Sequence, residues 1–383
     1  MNHTKDLIKS IKTNLTDDTR FFWLRIVAVI GLLSSLLLSA PAWSPERTFP
    51  LSPIITRLTM LPASQDALFL LVLVSLTAGL FRTNFRKYLL STGLVALLLL
   101  LLLDITRLQP WVLHYCAVLF LFSSLIDKDI TSSKILDASR LIVGGIYFWS
   151  GLQKLNYYFF TTTFPWFTEH LWLPFGDAGS TLAIFASFFV PFIEMTLAIG
   201  LFTKRFRKLS VFGSALMLLL VLISLGPTGH NWNSAVWPWN IAIFGMVFLL
   251  FFNTNFSLPE FIVRLKGNLV AYVMIFTFWV VPAGNLVGFT DNYLAWSLYS
   301  GKVPEASILG NHSFLATLSP KTEGGELRFV AWTLDSMNLV PYPENRVFID
   351  VFENICNKYT AQPMTLVIEE KKHQRLYKCN GVD

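Results

Sequence analysis

Long apolar runs alternate with short charged connections from residue 21 to residue 281. Nine runs reach or approach the roughly 20 residues that a helix needs to cross a hydrocarbon core. They cover 21–40, 67–80, 88–103, 110–126, 141–156, 181–202, 209–225, 235–252 and 269–281, of which the second and the last are short. A backbone in lipid must satisfy its own hydrogen bonds, so each run is expected as a helix. Beyond residue 290 the pattern turns polar. Residues 326–335 alternate and predict a strand. Val347, Phe348, Val351, Phe352, Ile355 and Cys356 follow Pro343 at helical spacing and predict an amphipathic helix. Residues 364–369 and 374–379 predict two strands around the charged turn Glu370-Lys371-Lys372-His373. The expected fold is an all-α polytopic membrane protein: a cytoplasmic segment (1–20), a nine-helix transmembrane bundle (21–290) and a small extracytoplasmic α+β C-terminal domain (291–383).

Composition agrees with that class. Of 383 residues 54% are hydrophobic and 14% charged, against about 25% charged in an ordinary soluble domain. This excludes a disordered chain and argues against a water-soluble enzyme. The net charge of +6 is explained by topology. Alternate connections carry sixteen Lys and Arg: Lys5, Lys9, Lys12 and Arg20; Arg82, Arg86 and Lys87; Lys128, Lys134 and Arg140; Lys204, Arg205, Arg207 and Lys208; Arg264 and Lys266. The intervening ones carry four: Arg47, Arg57, Arg107 and Lys154. Positive charge stays inside, so the N-terminus is expected in the cytoplasm and the C-terminal domain outside, and nucleic-acid binding is not required. Residues 21–40 also admit a signal-peptide reading, since Ala40-Pro41-Ala42 resembles a cleavage site. An oxidising compartment permits a Cys356–Cys379 disulfide, with free thiols as the alternative. Cys116 reads as a packing residue within a span. Asn311-His312-Ser313 matches a glycosylation sequon.

Charge inside a span is costly and needs a partner or a purpose. Arg25 lies one turn into the first span and Glu194 midway along the sixth, so Glu194 is expected to pair with Arg25 or Arg140, or else to relay protons. Arg140, Gly144, Tyr147, Gly151 and Lys154 follow spacings of four, three, four and three, which line one helix face. Lys154 ends this face near the outer surface, either pointing into the bundle or snorkelling. Other polar groups collect at that level: His114, Glu169, His170, His230, Asn231 and Asn233, with Trp237 opening the eighth span. A desolvated lysine has the tuned basicity of a general base. Lys154 with His114 or His230 is therefore a candidate acid/base set, over a polar floor of Asn231 and Asn233. The histidines lack metal-ligand spacing. Dinucleotide, phosphate-loop, zinc-protease and serine-hydrolase signatures are missing, as is an internal repeat.

Residues 140–252 resemble the bundle shared by vitamin K-dependent gamma-carboxylase and the horizontally transferred transmembrane (HTTM) proteins, with DoxX-like relatives. The stretches that carry the resemblance are Gly145-Ile146-Tyr147-Phe148-Trp149-Ser150-Gly151-Leu152-Gln153-Lys154-Leu155, the aromatic loop with Trp166, Glu169, His170 and Leu171, and Pro191-Phe192-Ile193-Glu194-Met195-Thr196-Leu197-Ala198-Ile199-Gly200-Leu201-Phe202. The resemblance implies that Lys154 takes the place of the base proposed to activate a hydroquinone, and that the bundle holds a quinone or another lipid-like ring. Departures from the carboxylase begin at Asn156-Tyr157-Tyr158, and the chain has no peptide-substrate module. Two function classes follow. One is a quinone- or lipid-linked membrane enzyme. The other is a non-catalytic envelope scaffold whose outside domain recruits a protein partner while the bundle sits in the lipid bilayer.

Overall fold

A computed structural model describes residues 15–55, 62–81, 83–125, 130–370 and 373–379, without the side chains of 62, 63 and 177. Lys5, Lys9, Lys12, Arg57, Arg82 and Lys128 of the charge pattern, the end of the 110–126 run, and Lys371-Lys372 lie outside the described residues. The helices are α1 Asp17–Leu38, α2 Pro62–Ala78, α3 Arg86–Leu102, α4 Pro110–Phe122, α5 Ser132–Gln153, α6 Asp177–Ser187, α7 Val190–Phe202, α8 Arg207–Leu225, α9 Trp237–Phe251, α10 Leu258–Leu265 and α11 Leu269–Ile275.

Five of the nine expected spans are shown as helices of membrane-crossing length. Among the described residues, Asp17–Leu38, Ala178–Phe202, Arg207–Leu225, Ser234–Phe251 and Leu269–Val287 are long and apolar enough to cross a membrane. The helices Ser64–Ala78 and Pro110–Phe122 are apolar but shorter. α5 is long, yet it carries Lys134, Asp137 and Arg140. It tolerates them because it is the bundle's axis, touching α1, α4, α7, α9 and α11, so protein and not lipid surrounds most of its length. The glycine face found in the sequence packs on α7. A Cβ at Gly151 would lie 2.8 Å from the Pro191 carbonyl oxygen, and one at Gly144 would lie 2.5 Å from the Phe202 ring. The chain breaks step at Phe188–Phe189, between α6 and α7, just before Pro191, which supplies no N–H to the preceding turn.

The C-terminal region is a four-stranded antiparallel sheet in the order β2-β1-β3-β4, with β1 Glu305–Gly310, β2 Glu326–Arg328, β3 Met364–Glu370 and β4 His373–Lys378. It is joined by α12 His312–Leu318, α13 Phe329–Met337 and α14 Asn345–Lys358. The long strand expected over 326–335 stops at Arg328. Phe329, Trp332, Thr333 and Met337 are all buried at helical intervals, so tertiary packing turned the segment into α13. Helix α14 buries Val347, Phe348, Val351, Phe352 and Ile355 as its spacing predicts. Asn311 of the sequon caps α12, its side-chain oxygen accepting from the Phe314 amide at 3.3 Å.

Cys356 and Cys379 form a disulfide across 23 residues, with Cα atoms 5.5 Å apart. It ties α14 to the end of β4. Cross-linking a loop of that length should stabilise the fold by about 3 kcal/mol. Cys356→Ser with Cys379→Ser is therefore expected to lower the denaturant midpoint of the sheet domain's unfolding. A midpoint unchanged by the double substitution would show that the bond adds nothing to stability.

The sheet domain is seated on the end of the bundle where α1 stops and α4 and α9 begin. Trp332 Nε1 donates to Thr48 Oγ1 at 3.0 Å, and Phe49 meets the Phe329 and Trp332 rings edge-on. Gln109 Nε2 donates to the Val340 carbonyl at 3.0 Å. Asn338 Nδ2 donates to the Leu38 carbonyl at 2.8 Å and to Ser234 Oγ at 2.7 Å. Beneath this junction Asp104 is fully buried between Arg47 at 2.5 Å and Arg107 at 3.5 Å. Its oxygens also accept from the Ser52 and Thr106 amides at 3.2 and 3.1 Å. Burial lowers the Arg107 pKa to about 10, which leaves the guanidinium charged at neutral pH.

Candidate functional site

An open cavity of about 720 Å³ lies between bundle and sheet domain. This is within the usual range of roughly 300–1,000 Å³ for a drug-sized ligand. Trp111 and Trp239 come from the starts of α4 and α9, and Trp232 and Asn233 from the turn before α9. Thr162, Thr163 and Trp166 line it from the segment after α5. Tyr293 and Tyr299 contribute from the linker into the domain. The sheet supplies Glu305 and Ser307 of β1, Glu326 and Arg328 of β2, and Glu369 of β3.

Strand pairing explains the sheet wall. Side chains two residues apart share a face, so Glu305 and Ser307 point the same way, as do Glu326 and Arg328. The register sets Glu305 opposite Glu369 and Ser307 opposite Arg328. Glu305, Glu369 and Arg328 each keep exposed surface; partial desolvation raises the Glu305 pKa above its ordinary value and the Glu369 carboxylate adds to this, with Arg328 opposing. Directly opposed like charges weaken a sheet.

The bundle wall is aromatic and locally strained. Trp166 and Trp232 meet edge-on with centroids 5.6 Å apart. Asn233 and Tyr299 both hold φ of +48°. For a bulky residue such as Tyr299 that left-handed conformation costs roughly 1–3 kcal/mol. The Asn233 side chain hydrogen-bonds the Tyr299 side chain, while Trp111 Nε1 has no hydrogen-bond partner among the described residues. Trp111 is 0% and Asn233 4% exposed.

The residues singled out in the sequence divide into three sets. Asn233 lines the cavity. Asn231 shares its left-handed turn, at φ +48°, which accounts for asparagine at both positions because short polar side chains tolerate that backbone. Trp237 stands behind the wall, with Nε1 donating to the Trp232 carbonyl at 3.3 Å. A second set backs the tryptophans. His230 stacks on Trp166 with centroids 4.4 Å apart, and its Nε2 is 2.9 Å from the Trp166 carbonyl. Glu169 Oε1 is 3.7 Å from His230 Nδ1. The His170 ring lies edge-on to His230 at 6.2 Å. Burial, then the neighbouring His230, lowers the His170 pKa. His114 accepts from Trp239 Nε1 at 2.9 Å.

The third set lies inside the bundle. Lys154 folds back one turn along α5, so that Nζ donates to Ser150 Oγ at 2.7 Å, to the Ser150 carbonyl at 3.1 Å and to Glu194 Oε2 at 2.8 Å. The side chains of both ions are 8% exposed. The partner expected for Glu194 is thereby corrected from Arg25 or Arg140 to Lys154. Arg140 instead pairs with Asp137 at 2.5 Å, and Arg25 donates to the Gly79 carbonyl at 2.7 Å. Lys154 and Tyr147 are not among the residues that line the cavity. The sequence reading missed Trp111, Trp239, Glu305 and Glu369 as site residues. Trp density at span ends pointed toward the first two, whereas the glutamates meet only through strand register.

Residues 132–233 match the family model described as methylamine utilisation protein MauE. This overturns the resemblance to HTTM, DoxX-like and carboxylase proteins, because the segment that carried it falls largely within the MauE match. The match spans α5 to Asn233, about a quarter of the chain. It agrees with the apolar helices in making this an integral, multi-pass membrane protein. No curated protein and no solved structure matches the chain.

Proposed function

We propose that this membrane protein binds a drug-sized organic molecule between its bundle and its sheet domain, at the extracytoplasmic face. The observation that carries the reading is the cavity itself, with Trp166, Trp232 and Trp239 on its bundle side and Glu305 and Glu369 on its sheet side. The alternation of Lys and Arg between connections supports a cytoplasmic N-terminus. The disulfide supports placing the sheet domain in an oxidising compartment. Methylamine itself, the compound named by the matching family, takes up only a few water volumes of about 30 Å³ each. A cavity of about 720 Å³ calls for a larger body.

A quinone ring would also stack on tryptophan. The acid/base role expected for Lys154 requires its nitrogen to face such a ring, whereas Nζ is engaged by Glu194 and Ser150. In the reading offered here that pair holds α5 against α7, and His230 and His114 hold the tryptophan walls in place.

Ser307 lies on the cavity side of β1, where a tryptophan suits a strand and would fill the space. Native mass spectrometry of full-length protein in mild detergent should find a bound small molecule, a quinone included. Ser307→Trp should lose it without a fall in thermal stability. Identical spectra for the two proteins would remove the cavity as the binding site.

A further inference from the structure

We propose that the ligand carries an organic ammonium group, seated between the tryptophan walls and the Glu305–Glu369 carboxylate pair. This rests on the binding reading above and adds the chemical class of the occupant. Three carboxylates line the sheet wall, Glu305, Glu326 and Glu369, against one cation, Arg328. Opposed like charges on β1 and β3 weaken the sheet, and a positive ligand would turn that repulsion into attraction. Facing them are Trp166, Trp232 and Trp239, and an indole face attracts a cation. An anion would meet the carboxylates unfavourably, and a neutral ring has no use for them. A bare metal ion needs a shell of several oxygen ligands, which a largely indole wall does not offer. The same ammonium chemistry is found in free amines and in amine-bearing lipid headgroups.

The cavity's tryptophans provide the signal. Phenethylammonium titrated into full-length protein should quench tryptophan fluorescence saturably, about tenfold or more tightly than the neutral 2-phenylethanol, a difference within reach of cation–π and charge contacts. Glu305→Gln with Glu369→Gln should bring the cation down to the affinity of the alcohol, with thermal stability held or raised because the repulsion is gone. The contributing charges are Glu369 on β3 and Glu326 and Arg328 on β2. Since partial desolvation and then Glu369 raise the Glu305 pKa, cation affinity should fall as pH drops toward the carboxylate range, and fall earlier than for an isolated glutamate. Equal affinity for amine and alcohol would overturn the ammonium assignment while leaving the binding reading intact. No saturable quenching by either probe, with no co-purifying molecule, would overturn both. Weaker phenethylammonium binding in phosphatidylethanolamine nanodiscs than in phosphatidylglycerol ones would support the assignment with a lipid headgroup as the source. Equal binding in the two, at tenfold preference over the alcohol, would support it with a free amine.

Discussion

Lys154→Met alone should destabilise the full-length protein by about 3–5 kcal/mol, because removing one partner leaves the other charge buried and uncompensated. Glu194 would lose its 2.8 Å contact with Nζ while staying 6% exposed between α5 and α7. Glu194→Leu should cost a similar amount, stranding the ammonium against Ser150. The double variant Lys154→Met/Glu194→Leu should recover most of the loss, since replacing a buried ion pair by apolar side chains is often neutral or stabilising. Thermal unfolding of the detergent-purified protein checks this. A double variant no more stable than the single ones, or a single variant within about 0.5 kcal/mol of wild type, which is the range of an ordinary surface change, would contradict a packing role for the pair.

The second large effect is expected at Asp104. Asp104→Ala would leave Arg47 and Arg107 facing each other without their shared carboxylate, both side chains being nearly inaccessible. The same range of about 3–5 kcal/mol applies, with the lost turn contacts to the Ser52 and Thr106 amides adding to it. The damage should extend beyond the bundle. Arg47 adjoins Thr48 and Phe49, which seat Trp332 and Phe329 of the sheet domain. Limited proteolysis of Asp104→Ala should therefore cut the linker between bundle and domain faster than in wild type. Asp104→Asn keeps the shape but drops the charge, and should fall between the two. Equal cleavage rates for wild type and Asp104→Ala would show that the buried triad does not hold the domain in place.

The sequence made the helical bundle legible because apolar runs have few alternative fates. It also made α14 legible, since one face alone is apolar and Pro343 marks where it can begin. Span number was less legible: α5 carries charge like a surface helix but is enclosed by protein. The strand expected over 326–335 became α13 through burial of Trp332 and Met337, a tertiary effect that alternation cannot anticipate. Depth counting missed the partner of Glu194, because it places a lysine nitrogen beside its own Cα. Lys154 instead reaches back a turn to Ser150. At the site, four tryptophans from separate segments line one cavity, a grouping that only the fold brings about. Glu305 and Glu369 are 64 positions apart and meet only through strand register. Asn231 and Asn233 stood out for their chemistry, but their backbone conformation explains them equally well.

The central claim is that the space between bundle and sheet domain is made to be filled. An experimental density map of full-length protein taken from its native membrane tests this most directly. The account predicts unassigned density packed against Trp166 and Trp232, extending toward Glu305 and Glu369. A sheet domain closed onto the bundle, with no space left between Trp232 and β1, would contradict it.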